Sequence, residues 1–496
     1  MNQAPTPTIR IADLMESSGV KFGTSGARGL VTDMTDLVCY AYTAGFLQYL
    51  AGEERLRPGE RVAVAGDFRP SSGRIMAAAI QAIRDGGYTP VHCGRIPSPA
   101  IALYGMAEGI ANLMVTGSHI PDNRNGIKFN TATGEILKND EAGIRDQVVN
   151  LPEGLFDAEG RFRHTPELPP EDGDAHALYL RRYLDFYPAD ALAGLRIGLY
   201  GHSGVGRQAT EEVLLGLGAQ VDRLGYSEVF IPVDTEAIRP EDVELAAGWA
   251  ASGRYDALVS FDGDGDRPLI GDENGHWLRG DVAGVLCARH LGAHCVATPV
   301  SSNTVVEKCG WFERVLRTRI GSPYVVEAMN TAMAEGCTGV VGYEANGGFL
   351  IADRIERGGR HLDPLPTRDA MIVAVALLVE ARRRGVPVST LTSDLPPRFT
   401  YSDRLKDFPT ELSRRRIAEL AADHEAIAAT LGDHFGELKE LDTTDGLRMT
   451  FANDEVVHFR PSGNAPELRC YNEAGSEQRA REINALCMRI LASWRD

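Results

Sequence analysis

No C-x-x-C pair occurs among the eight cysteines of this 496-residue chain, which stand apart at Cys39, Cys93, Cys287, Cys295, Cys309, Cys337, Cys470 and Cys487. That scatter argues against a structural zinc site or a disulfide framework and suits a reducing compartment. Positive charge is in deficit: 51 Lys and Arg against 69 Asp and Glu leave a formal charge of −18. A broad basic face for nucleic acid or an anionic membrane is therefore not expected, although a few local arginines suffice for an anionic small substrate. Long apolar runs are missing too; the longest, at 371–379, is far too short to span a bilayer. The N-terminus has no basic stretch leading into an apolar core. These absences point to a cytoplasmic protein without a nucleic-acid or membrane partner.

What is present is globular: 43% hydrophobic and 24% charged residues. At about 150 residues per domain the length predicts three or four domains. One pattern recurs three times. A short apolar, β-branched run ends abruptly in a Gly- or Ser-rich polar loop at 111–119 (ANLMVTGSH), 255–266 (YDALVSFDGDGD) and 338–348 (TGVVGYEANGG). Each has an earlier strand-like partner, at 61–67, 195–201 and 294–300, and stretches with helical spacing such as 72–87 and 206–219 lie between. Alternating strands and amphipathic helices predict three successive α/β domains with mainly parallel sheets. The boundaries read as 1–155, 175–278 and 279–394, with 152–174, rich in Pro, Glu, Gly and Asp, as the first linker. Residues 395–496 lack the pattern. Helical periodicity at 413–431 and 477–494 and a strand-like run at 454–460 predict a smaller α+β domain. The arginine runs at 382–384 and 414–416 read as solvated faces or helix-end charges.

In open parallel sheets, ligands bind beyond the carboxyl ends of strands, which is where the three polar loops fall. The second loop places Asp262, Asp264 and Asp266 at alternating positions with glycines between them. Clustering three anions is costly without a cation, and hard oxygen ligands suit Mg²⁺. A calcium EF-hand also wants acids at this spacing, but Arg267 stands where that loop needs Gly. The first loop offers Ser118 and His119 directly after a strand, with Lys128 nearby in NGIK. An ordinary capped turn fits Ser118 equally well on local grounds. The third loop supplies Glu344 and Asn346 between glycines, a set able to bind vicinal hydroxyls or simply to turn. Near the C-terminus, Arg460, Ser462, Gly463 and Asn464 combine a guanidinium, a hydroxyl, open backbone N–H groups and an amide, a phosphate cradle or a Pro-Gly turn. Another Gly-rich loop at 21–29 carries Ser25 and Arg28. It contains no G-x-x-x-x-G-K-[ST] and is not a nucleotide P-loop.

Taken in order, TGSH, NGIK, DGDGDR, GYEANGG and RPSG resemble the α-D-phosphohexomutase superfamily over nearly the whole chain, most like its bacterial phosphomannomutase branch. The resemblance implies four domains around a central cleft and a phosphohexomutase that interconverts hexose 6-phosphate and hexose 1-phosphate through a phosphoserine and a hexose 1,6-bisphosphate. Ser118 would be the phosphorylated nucleophile and a ligand, through its phosphate, of one Mg²⁺ held by Asp262, Asp264 and Asp266. Lys128, Arg28 and His119 would serve proton transfer, transition-state charge and orientation. Glu344 and Asn346 would read sugar hydroxyls, while Arg460, Ser462, Gly463, Asn464, Arg267 and Ser25 would bind substrate. Mannose phosphate is the preferred substrate, followed by glucose phosphate and glucosamine phosphate; the protein would be a monomer or homodimer. A metal-dependent phosphatase and a non-catalytic calcium or sugar-phosphate module are the readings from other classes. The chain departs from the superfamily at Gly117 (usually Ala), Ile120 (usually Asn) and Asn464 (usually Thr), and Ser322 stands where some members have His.

Overall fold

Apolar, β-branched runs closed by glycine or polar residues form buried strands in a computed structural model of the chain, which describes residues 7–23, 26–431, 434–462 and 466–495. The chain divides into two compact units, Met1–Gly292 with Asn346–Leu391, and Ala293–Ala345 with Thr392–Asp496.

The first repeat is built on a sheet of β1 (Lys21–Phe22), β2 (Gly26–Leu30), β3 (Arg61–Gly66), β4 (Thr89–His92), β5 (Asn112–Val115) and β6 (Arg124–Thr131), in the order β1-β2-β6-β5-β3-β4. The trio β4-β3-β5 at one end of the sheet is parallel, with helices Ser72–Asp85 and Ser98–Glu108 as its crossovers, and β6 returns antiparallel to β5. The same plan recurs in β7 (Arg196–Tyr200), β8 (Gln220–Leu224), β9 (Ala257–Phe261) and β10 (Pro268–Gly271). Here β8-β7-β9 is parallel and β10 returns antiparallel to β9. In the second unit β11 (Cys295–Pro299), β12 (Arg314–Thr318) and β13 (Val340–Tyr343) make a third parallel trio, β12-β11-β13. The chain then re-enters the first unit, where β14 (Phe349–Ile351) pairs antiparallel with β15 (Leu365–Asp369). In all three repeats the polar loop follows the last strand of the trio, so the periodicity read from the sequence is a repeated topology.

Toward the C-terminus β16 (Phe399–Leu405), β17 (Leu438–Asp442), β18 (Leu447–Phe451), β19 (Val456–Pro461) and β20 (Leu468–Ala474) form an antiparallel sheet in the order β16-β20-β19-β18-β17. Helices Thr410–Ala422, His424–Leu431 and Glu477–Ala492 accompany it, and Phe408, Phe459, Cys487 and Trp494 join its core. The expected α/β architecture with a C-terminal α+β region is thus observed.

Burial of large apolar side chains, at roughly 1.5–3 kcal/mol each, drives this packing. In the first repeat the Phe46 and Phe129 rings, both fully buried, lie 4.9 Å apart. Two local expectations need refinement. The helical periodicity at 413–431 is broken at Asp423, whose extended backbone ends one helix and whose side chain accepts from the Glu425 N–H at the start of the next. The segment 152–174 is irregular but anchored: Phe156 stacks on Phe162 at 5.0 Å, and the Phe162 N–H donates to Asp36. Two aromatic residues make this stretch part of the first core. Among the described residues no helix is long and apolar enough to cross a membrane.

Candidate active site

The turn after β5 and the turn after β9 meet within the first unit. Ser118 Oγ donates to Asp262 Oδ2 at 2.5 Å, joining residues 144 positions apart. Ser118 is buried and holds a positive φ of 56°. The acidic loop is shaped by its glycines. Gly265 takes a φ of 69°, and a Cβ on Gly263 would lie 2.6 Å from the Ser118 carbonyl oxygen. The loop is tied by Asp262 Oδ1, which accepts from the N–H groups of Asp266 and Arg267, both at 3.2 Å. Three carboxylates that would alternate along a strand therefore converge, with ligand atoms of Asp262, Asp264 and Asp266 all within 4.8 Å of one another.

Cations from four elements surround them. Lys128, on β6, donates to Asp264 Oδ2 and Asp266 Oδ2, each at 2.6 Å, and to Ser98 Oγ at 3.2 Å. Arg368, at the end of β15, donates to Asp266 Oδ2 at 3.1 Å. Arg267 Nε lies 3.6 Å from Asp266 Oδ1 and 3.9 Å from Asp262 Oδ2. Arg28, on β2, is close enough for burial, and then repulsion from Arg267, to lower its pKa to about 10. It remains a cation at neutral pH.

The carboxyls respond differently. Burial and the neighbouring Asp264 and Asp266 push Asp262 well above the ordinary carboxyl range. Burial also opposes ionisation of Asp264, but the Lys128 ammonium and hydrogen bonds from Lys128 and Ser98 outweigh it and hold Asp264 below that range. At Asp266 burial is again overcome, chiefly by Arg368 and Lys128. His119 is driven well below its ordinary value by burial and by Arg267 and Arg28. Its Nδ1 accepts from Arg267 at 3.0 Å and lies 3.4 Å from Ser118 Oγ, so the neutral ring carries its proton on Nε2.

The acidic loop fits a hard divalent cation. Asp264 Oδ1 and Asp266 Oδ1 are buried and accept no hydrogen bond, although buried polar atoms are ordinarily satisfied. Together with Asp262 they offer an all-oxygen donor set of the kind Mg²⁺ takes.

The other expected residues are held by other elements. Glu344 is buried in the second unit, whereas Asn346 belongs to the first. Asn346 Oδ1 accepts from the Gly348 N–H at 2.9 Å, and its carbonyl accepts from Thr235 Oγ1 at 2.7 Å. In the second unit Arg460 Nε lies 2.9 Å from Asp445 Oδ1 and Ser462 is buried nearby in sequence, its N–H donating to the Glu467 carbonyl. Ser25, Gly463 and Asn464 lie outside the described residues. Sequence reasoning missed Ser98 and Arg368. Ser98 Oγ donates to Asp264 Oδ2 at 2.5 Å. Neither stands in a glycine-rich loop, so no local signal marked them.

Comparison with known proteins adds three matches. Residues 19–153, 177–275 and 279–399 match, respectively, the alpha/beta/alpha domains I, II and III of phosphoglucomutase/phosphomannomutase. A phosphomannomutase of Sinorhizobium fredii is 43% identical over 475 residues, covering 96% of this chain and 99% of that protein. A phosphomannomutase of Salmonella muenchen is 41% identical over 472 residues, covering 95% of both. The crystal structure of a phosphoglucomutase/phosphomannomutase family protein from Burkholderia thailandensis superposes with a TM-score of 0.72 at 19% identity, covering 95% of this chain and 97% of that one.

Proposed function

The chain belongs to the phosphoglucomutase/phosphomannomutase family and is a phosphohexomutase, and from that premise we propose that it interconverts mannose 6-phosphate and mannose 1-phosphate through a phosphorylated Ser118. The observation that carries this reading is Ser118 Oγ standing 2.5 Å from Asp262 in a buried ring of three carboxylates and four cations. The preference for mannose rests on the two phosphomannomutases at 41–43% identity over nearly the whole chain.

In this reading the Ser118 O–P bond breaks as the free hydroxyl of a hexose monophosphate attacks phosphorus, and the hydroxyl proton ends on the departing Ser118 Oγ, the hydroxyl that donates to Asp262. The hexose 1,6-bisphosphate then returns its other phosphate to Ser118 Oγ, giving the isomeric monophosphate and a rephosphorylated serine. Asp262, Asp264 and Asp266 would hold Mg²⁺, which when bound draws negative charge from the phosphoryl oxygens. Lys128 spends its three N–H donors on Asp264, Asp266 and Ser98. It therefore serves as a fixed positive charge rather than as a base. Arg28 and Arg267 add charge for the transferring group, and neutral His119 orients Ser118. Ser25 belongs to the same Gly-rich loop as Arg28. Arg460, Ser462, Gly463 and Asn464 are assigned to phosphate binding, and Glu344 and Asn346 to sugar hydroxyls. The division into 1–155, 175–278, 279–394 and 395–496 belongs to the same proposal, supported by the three repeats and the C-terminal antiparallel sheet.

Incubation with a hexose 1,6-bisphosphate should raise the intact mass of the wild type by one phosphate that peptide mapping places on Ser118, and should leave Ser118→Ala, which should lose nearly all turnover, unlabelled. A Ser118→Ala enzyme that keeps substantial mutase activity removes the assignment. A label carried by Asp262 instead favours a phosphatase-type aspartyl nucleophile. Rates on mannose, glucose and glucosamine 1-phosphates, measured side by side, fix the sugar.

A further inference from the structure

Beneath the Ser118 turn lies a second buried charge pair that no step above uses. Asp67 and Arg69, both with fully buried side chains, follow β3, and Arg69 Nε donates to Asp67 Oδ2 at 3.0 Å. The rest of the guanidinium is directed at the neighbouring turn. Nη1 donates to the carbonyls of Pro121 at 2.7 Å and Arg124 at 3.0 Å, and Nη2 donates to those of Ser118 at 2.7 Å and Ile120 at 2.5 Å. All five N–H donors are thus engaged within the protein, leaving none for a substrate. Asp67 reaches the same turn by another route. Its Oδ2 accepts from Thr116 Oγ1 at 2.8 Å, and Thr116 Oγ1 in turn accepts from the Ser118 N–H at 2.8 Å. The peptide groups on both sides of Ser118 are therefore held by one ion pair, at a residue whose φ of 56° is disfavoured for any side chain with a Cβ.

The neighbouring glycine records the same arrangement. A Cβ on Gly117 would lie 2.6 Å from Arg69 Cζ and 2.8 Å from Nε. The guanidinium occupies the space an alanine side chain would need, which gives a physical reason for glycine where the superfamily resemblance leads one to expect alanine. Phe230 closes the far side, its ring 4.1 Å from Arg69 Cζ.

We propose that Asp67 and Arg69 form a positioning pair that fixes the backbone of the Ser118 turn and so aims Ser118 Oγ at Asp262. The pair touches neither substrate nor the reacting atoms. It acts through Ser118, and the inference rests on Ser118 being the phosphate carrier. Buried ion pairs add little net stability against an apolar replacement, so the specific geometry is what the pair supplies. Misplacing a reacting group by about 1 Å costs on the order of 100-fold in rate.

The test uses the full-length enzyme with Mg²⁺ and a hexose 1,6-bisphosphate. Arg69→Lys retains the charge but cannot span four carbonyls. It should lower kcat and the rate of Ser118 phosphorylation by about 100-fold, with KM within about threefold of wild type and a cooperative thermal transition retained. If that variant does not fold, Thr116→Val, which cuts the link from the Ser118 N–H to Asp67 at nearly constant volume, is measured in the same way and decides. A kcat within about threefold of wild type overturns the proposal, as does a large rise in KM at unchanged kcat, which would place the arginine in binding. The Ser118→Ala control separates the two claims. If it is inactive while Arg69→Lys and Thr116→Val are fully active, the positioning role fails and the nucleophile assignment stands. If it is active, the nucleophile assignment itself has failed.

Discussion

Lys128 is the residue whose surroundings say most about the candidate metal centre. Its ammonium lies 2.6 Å from both Asp264 and Asp266 and is itself buried. Burial opposes its charge, but the two carboxylates prevail and raise its pKa. A fixed cation at this distance repels a divalent ion that shares the same carboxylates. Lys128→Met should therefore bind Mn²⁺ or Mg²⁺ more tightly by calorimetric titration while turning over at least 100-fold more slowly, the lower end of what a charge-stabilising group contributes. Weaker metal binding in the variant would mean that the lysine helps to build the loop rather than competing for it. The same side chain shows what a sequence conveys at this scale. NGIK drew attention because a lysine beside a metal-bound phosphate has chemistry available, yet its partners are set by a strand register, Gly26 opposite Lys128 and Met114 opposite Lys128, that no local pattern encodes.

Among the elements, helix Ala370–Arg384 matters because the residue just before its cap is Arg368, which donates to Asp266. Asp369 caps that helix. Its Oδ1 accepts from the Met371 N–H at 3.1 Å and from the Tyr179 hydroxyl at 2.7 Å, while Oδ2 accepts from the Tyr183 hydroxyl. Asp369→Ala removes a helix cap, worth about 1 kcal/mol, and strands two buried hydroxyls at roughly 1–3 kcal/mol each. Urea denaturation should show a loss of about 3–7 kcal/mol, with Asp369→Asn losing less because an amide still caps; equal stability of all three proteins would show the junction to be unimportant. Strands and their polar termini were legible in the sequence because a buried strand must be apolar and must stop where the loop becomes polar, which located Ser118, the three aspartates and the third loop. Ser98, Arg368 and the Asp67–Arg69 pair were not legible. Ser98 reaches Asp264 across 166 residues and Arg368 reaches Asp266 across 102. Only tertiary packing brings such residues together, and each stands in an unremarkable local context. The 152–174 segment reads as a linker by composition, and Phe156 and Phe162 in addition pack it against the first core.

At the level of the whole molecule, both units bury neutral histidines, and this fixes the sign of the acid response. Burial lowers His202 and His290 in the first unit, and His458 in the second, from 6.5 to about 4 each. Burial outweighs hydrogen bonds that by themselves favour the charged ring, and those bonds fix which nitrogen keeps the proton. Arg357 donates to His290 Nε2 at 2.7 Å, leaving the proton on Nδ1 for Glu380, and His458 Nε2 donates to the Asp445 carbonyl at 2.6 Å. Because the folded values lie below the unfolded one, the unfolded chain binds more protons between pH 6.5 and 4. The contribution to stability is complete above about pH 6.5, is lost progressively as pH falls toward 4, and changes no further below that. A drop from 6.5 to about 4 corresponds to roughly 3 kcal/mol for one ring, large against the 5–15 kcal/mol typical of a folded domain. Thermal melts from pH 7.5 to 4.5 should show a steep fall in Tm. His458→Gln, which keeps an N–H donor but cannot take up the proton, should fall less over the same range. A Tm that does not respond to pH, or a His458→Gln protein as acid-sensitive as the wild type, would show that these rings already titrate freely in the folded state.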